Sequence, residues 1–323
     1  MKKAVAYIDL LGFTDCVQNN PDEAIMMLTQ FNSVLSSLNF ERVAHPSSGY
    51  LHGLQDLARR NSNESFEHFL PFSDSVFIVS SDCSNFLMQL GNFVKDSFLL
   101  NARVYSNPEN PSNPTETHYI GFDSSNPNCN KPVSIPCSQP PVLFRGGLSY
   151  GEVIETSPTA LFKNHIFTCN NLMGEAVIRA VRMERVVKGP RIIFDQEMYS
   201  QLNEDVKLYC RSIPDKIKDN GTAGLYEILW PALGFILENK TSFYQEITHF
   251  YDLFNPAYNL WRYYKNSEVA NHYERFLELI VYSSVHIYSH MGCRDFILQE
   301  MKKAFAGKFS NKEIAVIFGG VFD

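Results

Sequence analysis

Long apolar runs are missing from this 323-residue chain. No stretch approaches the roughly 18 consecutive apolar residues of a membrane-crossing helix. The longest candidate, Phe276 to Val285, carries Glu278 and two serines. Charged residues also come too early at the N-terminus, at Lys2, Lys3 and Asp9, for the apolar stretch of a signal peptide. Direct membrane insertion is therefore not expected. Cysteine is sparse: the seven are an odd count with no C-x-x-C pair. That favours reduced thiols and a cytoplasmic setting over a disulfide framework. Positive charge is short as well, with 28 Lys and Arg against 35 Asp and Glu, a net charge of -7. An acidic balance argues against nonspecific binding to nucleic acid, while leaving room for a small basic pocket. Walker A and G-x-G-x-x-G signatures are absent. Ser149 has flanking glycines at 147 and 151, but the surrounding residues read as continuous strand, the wrong context for a nucleophile elbow.

Hydrophobic residues make up 45% and charged residues 20%, with 25 Phe and 16 Tyr, so a folded chain with an aromatic-rich core is expected. The length suggests about two domains. Lys3 to Leu10 reads as a buried strand, and Gly12 permits a sharp turn after it. Pro21 with Asp22 and Glu23 starts a helix whose stripe is Ile25, Leu28, Phe31, Leu35 and Leu38. Phe69–Phe72 and Val76–Val79 read as strands meeting at a corner, Ser73-Asp74-Ser75. Phe86 to Phe98 reads as a second helix. Residues 106–141 hold eight of the sixteen prolines and six asparagines, and read as a long loop inserted into the domain. Val142–Val153 resumes as a strand, with Gly146-Gly147 marking a bulge or a close approach. Leu172 to Val187 is helical, followed by strands at Arg191–Phe194 and Leu225–Leu229. After Pro231 only helices are expected: Phe243–Phe254, Ala257–Tyr264, Val269–Tyr288 and Cys293–Phe305. The expected domains are an α/β-patterned unit, 1–231, and a helical C-terminal segment, 232–323.

Two carboxylates stand out. Asp9 interrupts an otherwise apolar strand at its carboxyl end, and a buried charge needs a partner or a metal. Asp74 sits at the tight corner between two strands. A pair of carboxylates at adjacent strand ends can hold Mg²⁺ or Mn²⁺ against a triphosphate; the competing role for either aspartate is turn formation. Backbone amides at Leu11, Gly12 and Phe13 could converge on phosphate oxygens; the alternative is a plain strand-to-helix turn. Arg182, near Arg179 and Arg185, could stabilise charge on a transferring phosphorus, or belong to a solvated stripe paired with Glu175 and Glu184. His286 and His290 share a helix face but lack a third ligand for zinc.

In order along the chain, Tyr7-Ile8-Asp9-Leu10-Leu11-Gly12-Phe13-Thr14, Phe72-Ser73-Asp74-Ser75, Phe144-Arg145-Gly146-Gly147-Leu148-Ser149-Tyr150-Gly151 and Leu172-Met173-Gly174-Glu175-Ala176-Val177 through Arg182 resemble the blocks of class III nucleotide cyclases. Gly189-Pro190-Arg191-Ile192-Ile193-Phe194 resembles the strand that follows in that fold. The resemblance covers about residues 3–231. It implies an α+β fold with a ferredoxin-like core, a homodimer with sites at its interface, and a two-metal centre of Mn²⁺ or Mg²⁺. By position it makes Asp9, Asp74 and the Leu10 carbonyl metal ligands, and Arg182 the catalytic arginine.

Three positions depart from the family pattern. Ile178 replaces an asparagine, Leu70 stands near a purine-reading lysine, and Asn171 stands where a purine-reading acid is usual. A neutral amide pairs with either edge of a pyrimidine. The chain is therefore similar to the bacterial pyrimidine cyclases of Pycsar antiphage systems. That resemblance implies UTP or CTP as substrate, read by Asn171 and Leu70, and a neighbouring effector reached only through cyclic UMP or cyclic CMP. A purine cyclase and a degenerate nucleotide-binding module are the alternatives, and Asn171 has a rival role as a helix cap.

Overall fold

The computed structural model describes residues 1–39, 64–106, 114–122, 132–162, 165–168, 170–213, 224–234 and 243–322. At its centre lies β1 (Lys2–Leu10), flanked on both sides by antiparallel partners. Helices α1 (Phe13–Asn19) and α2 (Pro21–Asn39) lead to the hairpin β2 (His68–Phe72) and β3 (Ser75–Ser80). Helix α3 (Cys83–Tyr105) then leads, past an excursion, to β6 (Phe144–Glu152). These elements form a β-α-β-β-α-β unit whose strands are ordered β6-β1-β3-β2. That order is ferredoxin-like, and the fold class is α+β, as the sequence suggested.

Three short strands extend the sheet beyond β6. They are β11 (Ile192–Phe194), parallel to β6, then β13 (Tyr226–Ile228) and β12 (Cys210–Ser212). The apolar run of β1 follows from burial on both faces. Ala4, Ala6 and Ile8 join the large core under α3, whereas Val5 packs with Val79, Ala176 and Ala180 under α4 (Glu175–Glu184).

The excursion after α3 differs from the expected loop. Strands β4 (Glu116–Phe122) and β5 (Pro132–Ser138) pair as an antiparallel ribbon outside the main sheet. Proline and asparagine hid it, because a ribbon that joins no sheet tolerates residues that break a central strand. Two further ribbons went unread: β7 (Ile154–Thr156) with β10 (Asn171–Met173), and β8 (Thr159–Phe162) with β9 (His165–Thr168). On α2 the buried set is Ala24, Met27, Phe31, Val34 and Leu35, while Ile25 is 63% exposed, so the stripe runs one position away from the expected one at its start. Leu38 lies outside the residues whose side chains are described.

Short helices α5 (Gln196–Ser200) and α6 (Glu204–Lys207) follow β11. The C-terminal helices are α7 (Phe243–Tyr264), α8 (Ala270–His290), α9 (Arg294–Phe305) and α10 (Asn311–Phe318). The expected break before Ala257 is absent; α7 runs through Pro256. Phe250, Phe254, Ala257 and Leu260 are fully buried in the same core as Phe98 and Phe144. The Phe98 and Phe276 rings meet edge to face at 4.9 Å, and Asn259 Nδ2 donates to the Tyr105 carbonyl at 2.7 Å. The helical segment is thus packed onto the sheet unit through one continuous core.

Candidate functional site

Asp9 and Asp74 are brought together by the sheet. Asp9 pairs with Ser75 across the β1–β3 ladder. The Leu10 N–H donates to the Asp74 carbonyl at 3.0 Å, tying the end of β1 to the β2–β3 corner. That corner is tight: Ser73 adopts φ of 58°, and the Ser75 hydroxyl donates to the Phe72 carbonyl at 2.9 Å. Gly12 begins α1 with φ of +85°, a backbone region costly for residues with a Cβ. Leu11 differs from its expected role. Its N–H donates to the Leu143 carbonyl at 2.8 Å, so it is already engaged and is not a backbone donor for phosphate.

Sequence reading missed two members of the cluster. Arg145, facing Asp9 across the β1–β6 ladder, places Nη2 3.3 Å from Asp9 Oδ2. The same guanidinium contacts Glu184 at the end of α4, a carboxylate only 2% exposed. Gly147 explains how α4 comes so close. A Cβ there would lie 1.9 Å from the Ala180 carbonyl oxygen and 2.9 Å from the Glu184 nitrogen. The glycine pair therefore marks a close approach of helix to strand, one of the two expected meanings. The only advance signal was Arg145 itself, a charge inside a strand.

Asp9, Glu184 and Arg145 thus share a poorly solvated corner, with the half-buried Asp74 near enough to act on Asp9 through its charge. Burial, reinforced by the charge of Glu184, pushes the Asp9 carboxyl up to about 6, and Arg145 only partly offsets this. Holding Asp9 ionised therefore calls for more positive charge. Among the described residues no three His, Cys, Asp or Glu side chains form a metal-binding group. The donors present, two carboxylates with nearby backbone carbonyls, are hard oxygen ligands of the kind Mg²⁺ or Mn²⁺ takes, with remaining positions left for a phosphorylated ligand.

Asp9, Leu10, Gly12, Phe13, Thr14 and Arg145 line one side of a cleft of about 570 Å³. Asp74, Arg182, Leu70 and Asn171 do not line it, although the Asp74 carbonyl is tied to the end of β1. Arg182 is exposed on α4 beside Ile178, which is 53% exposed. Asn171 and Met173 are exposed on β10, and Met173 pairs with Ile154, which is also exposed. Leu70 is half-buried and opposite Phe77. One chain therefore divides the expected site residues between two places. Asn171 does not cap α4; Gly174 occupies that position and no side chain caps it. Arg179 serves structure: Nη2 donates to the Tyr150 carbonyl at 2.6 Å, and Nη1 lies 3.5 Å from Asp195. Ser149, fully buried in mid-strand, donates to Asp195 Oδ2 at 2.6 Å. His286 Nε2 lies 2.8 Å from the Leu208 carbonyl, which accounts for that histidine without zinc.

No family model and no curated protein matches the chain. Solved structures that resemble it include a bacterial light-regulated adenylyl cyclase, at 13% identity over 70% of this chain and 89% of that one, TM-score 0.37. The adenylyl cyclase CyaB from P. aeruginosa aligns at 15% identity over 70% and 93%, TM-score 0.37. A guanylyl cyclase domain from the aquatic fungus Blastocladiella emersonii aligns at 15% identity over 71% and 96%, TM-score 0.37. These superpositions are loose, and what the chain does has to be read from its own residues. Among the described residues no helix is long and apolar enough to cross a membrane.

Proposed function

We propose that this chain is a divalent-metal-dependent nucleotide cyclase of the class III type, working as a homodimer on UTP or CTP. The observation that carries the proposal is the placement of Asp9 at the end of β1 opposite Ser75, with the neighbouring Asp74 tied to Leu10 through its carbonyl, on a ferredoxin-like sheet beside Gly12 and Arg145. In this reading the two carboxylates and the Leu10 carbonyl hold Mn²⁺ or Mg²⁺. The metal supplies charge neutralisation on the phosphates and acidifies the ribose 3′-hydroxyl. Arg145, already beside Asp9, adds a fixed cation at the same end. The backbone at Gly12 and Phe13 borders the phosphates. The 3′-oxygen, having lost its proton to solvent, bonds to the α-phosphorus, and the bond from that phosphorus to the β-phosphate oxygen breaks. Pyrophosphate leaves, and the chain's part is mostly positioning and electrostatics.

The split between the Asp9 cleft and the Arg182 face supports a dimer. Arg182 has no ion-pair partner among the described residues; Ile178, one helical turn away, is exposed, as are Ile154 and Met173 on the β7–β10 ribbon that precedes the helix, apolar side chains suited to a second copy. A neighbouring protomer then supplies Arg182 and Asn171 to the Asp9–Asp74 end, with Leu70 shaping the base pocket. An equimolar mixture of Asp74→Asn and Arg182→Ala chains, each inactive alone, is expected to regain up to about a quarter of wild-type turnover, because a statistical half of the dimers carry one intact site of two. Persistent inactivity after demonstrated subunit exchange removes the shared site.

The decisive test of the activity is incubation of the purified chain with each of the four NTPs and Mn²⁺, with products identified by mass spectrometry. Cyclic UMP or cyclic CMP is expected. A purine cyclic nucleotide instead retains the cyclase and corrects the base reading at Asn171. In the pyrimidine reading the product acts as a second messenger in antiphage defence and links the chain to an effector without direct contact.

A further inference from the structure

The cleft at Asp9 takes its far wall from the C-terminal helices, at Tyr264 and Tyr273. Those helices also border a cavity of their own, of about 480 Å³, between α9 and α10. That volume lies within the roughly 300–1,000 Å³ of small-molecule sites. Its walls are apolar: Leu298, Met301 and Phe305 from α9, Phe309 from the connection, Ile314 from α10, and Phe322. The spacing of the first three puts them on one face of their helix. The frame is held from several sides. Phe305 stacks on Phe318 at 4.7 Å and meets Phe322 edge to face at 6.3 Å. Arg294 Nη2 donates to the Phe322 carbonyl at 3.3 Å. Ser310 and Glu313 cap α10 reciprocally, and Glu313 lies 3.7 Å from Lys265, just beyond α7. Rings anchored in this way hold the space open. Gly307 stands at its edge, where a Cβ would meet nothing within 4 Å.

Two polar side chains border the cavity, Lys302 and Asn311. Both are exposed, so they mark its mouth, and neither has a hydrogen-bond or ion-pair partner among the described residues. Nearby lysines are engaged: Lys303 pairs with Glu300, and Lys308 Nζ lies 3.0 Å from Asn255 Oδ1. Among the described residues no carboxylate lines the cavity. Apolar walls, one uncompensated cation and one amide donor at the rim select an occupant with an apolar body and a single negative end. The lysine stem can lie along the apolar wall while its ammonium stays at the mouth.

We propose that this cavity binds an alkyl monocarboxylate of the fatty-acid class, with its chain among Met301, Phe305 and Phe309 and its carboxylate on Lys302 and Asn311. The site goes beyond the cyclase reading and does not depend on it. Burial of the chain supplies the affinity, and the lysine supplies the preference for an acid over a neutral chain.

Calorimetric titration of the full-length chain with octanoate, decanoate and dodecanoate, each below its micelle concentration, tests this. One molecule per chain is expected, with affinity rising about fifteenfold for each two methylenes added. Lys302→Met removes the charge and keeps an apolar stem. It is expected to weaken decanoate about fivefold or more, the loss of one charge-assisted contact, and to leave uncharged 1-decanol unchanged. Leu298→Trp fills the cavity and is expected to abolish binding of both. Should Leu298→Trp unfold, the exposed Lys302 still decides the matter. No decanoate binding by the wild type, affinity independent of chain length, or unaltered decanoate affinity in folded Lys302→Met overturns the proposal. Equal weakening of decanoate and decanol in that variant also overturns it, because the stem and not the charge would then be at work. Turnover of NTPs is a separate readout. Decanoate binding without any cyclic product removes the cyclase reading alone, and cyclic product without decanoate binding removes this site alone.

Discussion

Asp9→Asn is expected to lower cyclase turnover by about a thousandfold or more, equivalent to roughly 4 kcal/mol of lost metal-dependent stabilisation, and at the same time to raise the melting temperature of the metal-free protein above pH 7. The two effects have one cause. The Asp9 carboxyl sits against Glu184 in a largely desolvated corner and is pushed up to about 6 from 3.8. The fold therefore holds the proton more tightly than the unfolded chain does. Between about pH 4 and about pH 6 the unfolded carboxyl is ionised while the folded one is still protonated, so this group's contribution to stability falls as pH rises through that window and stays low above it. Asparagine cannot ionise, so the variant loses that decline. Thermal melts from pH 4.5 to 8 check this. Added Mn²⁺ should stabilise the wild type most above pH 6, where Asp9 is free to ligate, and the variant least. Normal turnover in Asp9→Asn, or equal Mn²⁺ stabilisation of both proteins, takes Asp9 out of the metal site.

Glu278→Gln is expected to destabilise the protein by about 3–5 kcal/mol. Four side chains form the cluster concerned. Arg191 Nη1 lies 2.5 Å from Glu227 Oε2, and Arg211 Nε lies 2.6 Å from Glu227 Oε1. Glu278 receives Arg191 and, at 2.9 Å, Arg211. The Arg211 guanidinium also lies 3.7 Å over the Tyr282 ring. Arg191 and Glu227 are fully buried, and Arg211 and Glu278 are 6% and 8% exposed. Two cations balance two anions, and the Arg charges hold the Glu278 carboxyl below its usual value against the opposing effect of burial. Removing one anion leaves an uncompensated buried positive charge. Removing Arg211 and Glu278 together, as Arg211→Met with Glu278→Leu, leaves the Arg191–Glu227 pair balanced and should cost less than Glu278→Gln alone. Denaturant unfolding of the three proteins measures this. A loss below about 1 kcal/mol in Glu278→Gln would show that apolar packing, not the ion cluster, holds α8 against the sheet.

The local pattern carried much of the architecture. The unbroken apolar run from Ala4 to Ile8 meant a buried strand, and in the structure Ala4, Ala6 and Ile8 face one core and Val5 another. Asp9 and Asp74 stood out because each is a charge or turn residue at a strand end. Gly147 was legible as a crowding point, although what crowds it was not. The β4–β5 ribbon was illegible because it lies in an excursion, 106–141, crowded with eight prolines and six asparagines, and α7 because Pro256 reads as a break.

By itself the sequence determined what depends on neighbours along the chain: the sheet-forming runs, the aromatic helices after residue 231, and the two aspartates placed at strand ends. Periodicity and turn chemistry act over a few residues and need no tertiary context. Only the tertiary structure decided which distant groups share an environment. Arg145 meets Asp9 across 136 positions and Arg191 meets Glu278 across 87. Gly189 finds His272 across 83 positions. Such pairs follow from strand order and from helices docking on a sheet, and no short-range pattern encodes them. That is why the sequence separated a site-bearing unit from a helical remainder, whereas packing gave both a wall of one cleft.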